Sequence, residues 1–431
     1  MTQIATAPPT PPPAAPELPA SPRRAARTHY FAGTPGRMRI LAAVASLVCV
    51  GFALAGLFGL SAVDDSVSRA SANTQQVARV QSVYVDLRQA HAAVSNGFLV
   101  GGLESAELRQ TYDDAMDRVA RNVAAAAQAQ PADGEALAAL NAAVQDYAGD
   151  IDRARTYNRM TFPIGATYLD QGRATLADDV RPLIDNLVAA NEERADEEFA
   201  FSSSGGMVIG AGVLALGVIV AIGLWLARRT HRWVNLPLAG AGLLVAAGLA
   251  LSVAHVTNVA GTMNTVRTGD FDAAVALADA RAAAFDAKAN ESLSLIKRGQ
   301  GGPPEEAFQV AAETTRAALN ASREADPEGR DLLAAFDAYV VLHDEIRATD
   351  VDGDWGGAVE LATSAEAGSA NAVFNEFVTL SATELDAQIN QVVTAFRGIG
   401  QSLLPWLIGI GGAVAAVLAG RSMSKRIEEY R

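Results

Sequence analysis

Chemistry needs nucleophiles, bases or metal ligands brought close together, and this chain of 431 residues scatters them. Its five histidines, His29, His91, His231, His255 and His343, have no cysteine partner and no metal-ligand spacing. The single cysteine, Cys49, lies in an apolar run, so no disulfide can form within one chain. The glycine-rich turns lack the pattern that cradles phosphate. Asp350, Asp352 and Asp354 around Gly353 have part of a calcium loop, but the glycine is misplaced and position twelve is Leu361. An acidic turn that caps a helix is the simpler reading. No catalytic residue, cofactor or metal site is expected, and the chain does not read as an enzyme.

Recognition chemistry is better represented. In NRMTFPIGATYL, Phe162, Pro163, Ile164 and Tyr168 place apolar and aromatic groups in a turn that should face water. They form either a docking patch or a plug for the end of a helical bundle. Trp355 has the same ambiguity. Arg155, Asn158 and Arg159 could hold a carboxylate, as guanidinium forks do, or could be solvated partners of Asp150 and Asp152. Two basic-aromatic groups stand apart from these. One is Arg228, Arg229, His231, Arg232 and Trp233, and the other is Lys425, Arg426, Tyr430 and Arg431. Both could dock an acidic partner face or simply touch anionic lipid.

Positioning these groups requires elements, and the apolar residues set them out. About 20 apolar residues cross a bilayer as a helix. The stretches 40–63, 205–227, 234–256 and 398–420 have that character. The tail 1–39, the turn 228–233 and the tail 421–431 together carry 12 bases and three acids, leaving 22 bases and 45 acids for 64–204 and 257–397. Bases beside spans stay in the cytoplasm, so both termini and the middle turn should lie inside and both long segments outside. The proline-rich start, PPTPPPAAP, reads as an extended, disordered tail. A net charge of −14 disfavours nucleic acid. The near absence of ionisable groups in the spans, His255 excepted, disfavours transport. Gly51, Ala55 and Gly59, and Gly206 with Gly210, have the spacing that lets membrane helices approach.

The order span, long segment, span, turn, span, long segment, span suggests an internal repeat. Aligning Gly134 with Gly329 pairs Leu137 with Leu332, Ala143 with Ala338 and Ile151 with Ile346. Both segments are rich in Ala, Leu, Glu, Gln and Arg, and each is broken by three turn clusters, which predicts four helices apiece. The fold class is therefore all-α, with four membrane helices and two tandem extracytoplasmic four-helix bundles. Pro182, inside the fourth helix of the first segment, should kink it.

Two-span modules with an outer four-helix bundle are similar to the sensor halves of bacterial chemoreceptors and sensor kinases. RWVNLPL, from Arg232 to Leu238, looks like the opening of the coupling domain of such receptors, yet it leads into the third span, and no kinase follows. The duplicated order, the basic proline-rich tail, FLVGG at Phe98 to Gly102, NRMTFPIGATYL and the ending RIEEYR together resemble the actinobacterial GlnX-type multi-pass membrane sensors. That resemblance implies a protein that works with an extracytoplasmic solute-binding lipoprotein, GlnH. It also implies that aspartate or glutamate availability is signalled to a cytoplasmic serine/threonine kinase, kinase G. A direct small-molecule sensor and a membrane scaffold are the alternatives.

Overall fold

The computed structural model describes residues 33–100, 104–200, 203–230, 235–298, 301–400 and 402–424. Among them every regular element is helical and no strand occurs. The helices are α1 (Gly33–Val100), α2 (Ala106–Ala129), α3 (Gly134–Arg159), α4 (Ile164–Ala174), α5 (Arg181–Ala200), α6 (Ser203–Thr230) and α7 (Leu236–Val266). They continue as α8 (Asp272–Ile296), α9 (Gly302–Ala325), α10 (Leu333–Val351), α11 (Trp355–Thr363), α12 (Ala370–Ile399) and α13 (Leu404–Arg421). Four helical stretches are long and apolar enough to cross a membrane: Gly36–Val100, Gly205–Arg229, Leu236–Ile296 and Ala370–Arg421. The protein is a helical membrane protein.

The chain divides into two compact units, one made of residues 1–58, 207–252 and 404–431, the other of 59–206 and 253–403. In the first, Gly212 and Gly412, not the expected Gly51 and Gly210, stand at close approaches. A Cβ on Gly412 would lie 2.7 Å from that of Ala53, and one on Gly212 would lie 2.8 Å from Leu249. A Cβ on Gly51, Gly206 or Gly210 would meet nothing among the described residues. The Ser46 hydroxyl donates to the Ala416 carbonyl at 2.9 Å. Without a hydrophobic drive between membrane helices, such backbone proximity and hydrogen bonding are what hold them.

In the second unit the two long segments share one core. It runs from Val80 and Leu87 on α1 through Leu140, Tyr147 and Ile151 on α3 to Phe285 on α8, Phe308 on α9, Phe336 and Tyr339 on α10, and Phe374 and Phe377 on α12. Arg88 on α1 crosses to Asp286 on α8 at 2.6 Å, and Lys297 reaches Asp170 on α4 at 2.7 Å. Beside this core Val63, Val67, Met263, Val392, Phe396 and Ile399 form a smaller apolar cluster. His255 lies 3.3 Å from Asp64.

Helix breaks follow local chemistry. Ser105 caps α2 by accepting from Leu108 N, and Asp354 caps α11 by accepting from Gly357 N. The second segment has one break more than expected: Ser364 to Ser369 separates α11 from α12, with Gly368 at φ +83° and Ser369 capping α12. Pro182 acts one turn earlier than its own position. Residues Thr175–Val180 form a wide π turn before α5, the relief available to a helix whose proline supplies no N–H and crowds the preceding turn. A second π turn, Arg267–Phe271, joins α7 to α8.

Candidate functional site

Arg155 is on the last turns of α3 and is only 5% exposed. It is not a solvated partner of Asp150, which instead pairs with Arg153 at 2.9 Å. The Arg155 Nη2 donates to Glu104 Oε1 at 3.0 Å, and its Nε lies 3.0 Å from Oε2. The guanidinium stacks 4.0 Å from the ring of Tyr112, whose hydroxyl burial pushes up to about 12. Glu104 fits because residue 97 is glycine: a Cβ there would sit 3.0 Å from the Glu104 Cγ. Gly97, Phe98, Glu104, Arg155, Asn158 and the exposed Arg159 line a narrow cleft.

Past α3 the chain reverses through Thr161, at φ +58°, with Phe162 N donating to the Tyr157 carbonyl. Phe162 is 55% exposed, and Pro163 and Ile164 are exposed beside it. Tyr168 turns inward and stacks on Tyr157, rings 5.4 Å apart and nearly parallel. Trp355, in the second segment, is half-buried. Its Nε1 donates to the Leu295 carbonyl at 2.9 Å, and Arg298 stacks on its ring at 3.7 Å.

The second segment holds an ionic network that the scattered histidines did not betray. Glu291, fully buried on α8, accepts from Lys288 Nζ at 2.6 Å and from the Tyr339 hydroxyl at 3.1 Å, with His343 Nδ1 also at 3.1 Å. The far ring nitrogen of His343 is 3.3 Å from Glu305, which Arg347 Nε meets at 2.8 Å. Arg347 Nη1 donates to Asp350 at 2.6 Å. Three acids face two fixed bases, so a protonated His343 balances the set. Burial opposes that charge, but the hydrogen bonds the ring donates to Glu291 and Glu305 outweigh it and hold the imidazole above its ordinary value. Burial likewise pushes the Glu291 carboxyl up, yet Lys288 and His343 bring it down to about 2. The sequence signal was present: Tyr339, His343 and Arg347 are spaced by four along one helix face.

The first segment has a buried histidine with fewer partners. Tyr147 approaches His91 on α1 with ring centroids 6.1 Å apart. Its hydroxyl and both His91 ring nitrogens are buried without a hydrogen-bond partner among the described residues. Burial, aided by Arg88 and Arg173, drives His91 down to about 3, so it stays neutral.

Arg228 and Arg229 end α6 and are exposed. Arg232, Trp233, Lys425, Arg426, Tyr430 and Arg431, like Gly101, Gly102 and the proline-rich tail, lie outside the described residues.

Residues 66–200, which contain Arg155, Glu104 and the aromatic turn, match the model of an actinobacterial sensor domain. No curated protein and no solved structure matches the chain. Over residues 66–200 the chain is similar to an actinobacterial sensor domain, and four of its helical stretches are long and apolar enough to cross a membrane.

Proposed function

We propose that the protein is a multi-pass transmembrane relay. It reports extracytoplasmic acidic amino acids, aspartate or glutamate, to a cytoplasmic serine/threonine kinase, and an extracytoplasmic solute-binding lipoprotein delivers the signal to residues 64–204. The observation that carries this reading is the sensor-domain match over residues 66–200, directly between two apolar helices. The partition of charge along the sequence supports both termini inside, the long segments outside, and lipid around the four apolar helices. The relay needs no cofactor and no catalysis of its own. An external partner drives it only by preferring one of two helix arrangements. Arg228, Arg229, Arg232 and Trp233, with Lys425, Arg426, Tyr430 and Arg431, are the proposed docking groups for the kinase side.

The test is made in cells. External aspartate should raise phosphorylation of the kinase's substrates, and deleting this protein should abolish the rise. Reversing the charges of Arg426 and Arg431, with Arg421 kept to hold topology, should abolish it while the lipoprotein still binds. Unchanged phosphorylation in the deletion strain rejects the relay. Cysteine tags at Gly134 and Gly329 should label from outside, and one at His231 should not; labelling of His231 from outside rejects the topology.

A further inference from the structure

Within the unit of residues 59–206 and 253–403, a cavity of about 110 Å³ lies where α1 of the first long segment passes α8 and α12 of the second. On α1 it is lined by Thr74, Ala78 and Gln81, whose spacing of four and three puts them on one stripe of that helix. Facing them are Phe271, the last residue of the π turn that leads into α8, and Leu385 and Ile389 on α12. Alanine at position 78 leaves the gap that a longer side chain would close. The space is of the order that admits a single ring, since an engineered apolar cavity of roughly 150 Å³ takes up benzene.

One wall of this cavity is polar and unsatisfied. Thr74 is only 4% exposed, yet its hydroxyl has no hydrogen-bond partner among the described residues. Thr111, Thr265 and Thr315, by contrast, each donate to the carbonyl four residues back. The Thr74 oxygen is not sealed, as the ring nitrogens of His91 are, so the surface it keeps belongs to the cavity that Thr74 lines. A mostly buried hydroxyl without a partner costs free energy that a bound polar group would return. The remaining walls limit the charge of that group. Among the described lining residues none is basic, the exposed Asp386 stands at the rim against an anion, and the apolar side chains opposite penalise any ion.

We propose that this cavity binds a small uncharged molecule with a ring or a branched aliphatic body and one hydrogen-bonding group. The body packs against Phe271, Leu385 and Ile389, and the polar group meets the Thr74 hydroxyl. Such a ligand would join the first helix of one long segment to two helices of the other. It is not the acidic amino acid of the relay, whose charges these walls disfavour, so the inference goes beyond that reading and does not depend on it.

Equilibrium dialysis of purified full-length protein in lipid nanodiscs against phenol and benzene at neutral pH, where both are uncharged, provides the test, with uptake by empty nanodiscs subtracted. Wild type should bind phenol saturably and more tightly than benzene. Thr74→Val keeps the shape and removes the hydroxyl. It should weaken phenol binding by roughly 3- to 10-fold, the worth of a neutral hydrogen bond, and leave benzene binding as it was. Ala78→Leu, which fills the space, should raise the melting temperature and abolish the binding of both. Should that variant fail to fold, the comparison of phenol with benzene in Thr74→Val decides alone. No saturable uptake by wild type, uptake that survives Ala78→Leu, or phenol binding untouched by Thr74→Val overturns the proposal.

Discussion

At the scale of residues, the two buried histidines have opposite roles. His343 sits between two carboxylates and its folded value is raised above the ordinary 6.5. The stability it adds is therefore fully present below 6.5 and is lost as pH rises through the raised value. His91 is buried without a partner and held down to about 3, so its cost appears as pH falls from 6.5 toward 3, where the unfolded chain takes a proton that the folded one refuses. Melting of the protein across about pH 4 to 9 should thus decline at both ends. His343→Gln should flatten the alkaline side and His91→Leu the first part of the acid side, above the range below 4.5 where Glu291 protonates in the unfolded chain but not yet in the folded one. An unchanged alkaline limb in His343→Gln would show that His343 is already neutral. The aromatic turn gives a second contrast. Phe162→Ser should shift stability by no more than about 0.5 kcal/mol, whereas Tyr168→Ser, which removes a stacked ring, should cost about 1 kcal/mol or more.

At the scale of elements, boundaries are made by single side chains. Ser369 accepts from Ala372 N at 3.3 Å and donates to the Ser364 carbonyl at 2.7 Å, tying the start of α12 to the end of α11. Ser369→Ala should cost about 1 kcal/mol, visible as a lower melting temperature and as faster amide exchange in the first turn of α12. Exchange unchanged there would mean that the packing of Phe374 and Phe377 sets this boundary instead. The break itself escaped the sequence reading because one glycine and three small polar or charged residues are a weak turn signal inside an alanine-rich stretch. Gly368 at φ +83° shows what was there to be read.

At the scale of the whole molecule, the shared core makes the two long segments one structural unit. They should melt together in calorimetry of the full chain; two resolved transitions for residues 59–206 and 253–403 would contradict this. Arg88 and Asp286 join them across 198 positions, with Arg88 almost fully buried. Burial pushes the Asp286 carboxyl up even though Arg88 pulls it down, so the pair barely repays its own desolvation. Arg88→Asp or Asp286→Arg alone should cost about 3 kcal/mol, since each leaves a buried charge facing its like, and the double exchange should recover a large part of that loss. Equal losses in the single and double variants would mean that the bridge does not join the segments.

The sequence by itself determined what depends on neighbours along the chain: the all-helical character, the four apolar helices and the sites of most turns. Hydropathy and helix propensity are local sums, and glycine or proline clusters interrupt them wherever the fold places them. Tertiary structure decided what depends on distant pairs. Arg155 reads as a surface fork near Asp150 and Asp152, yet Glu104, 51 positions away, draws it into the core. Tyr168 leaves the exposed turn to stack on Tyr157, which the half-exposed Phe162 meets only edge-on, and the paired acids and bases around His343 come from three helices. A buried charge is stable only beside its partner, and which partner reaches it is set by how the helices pack.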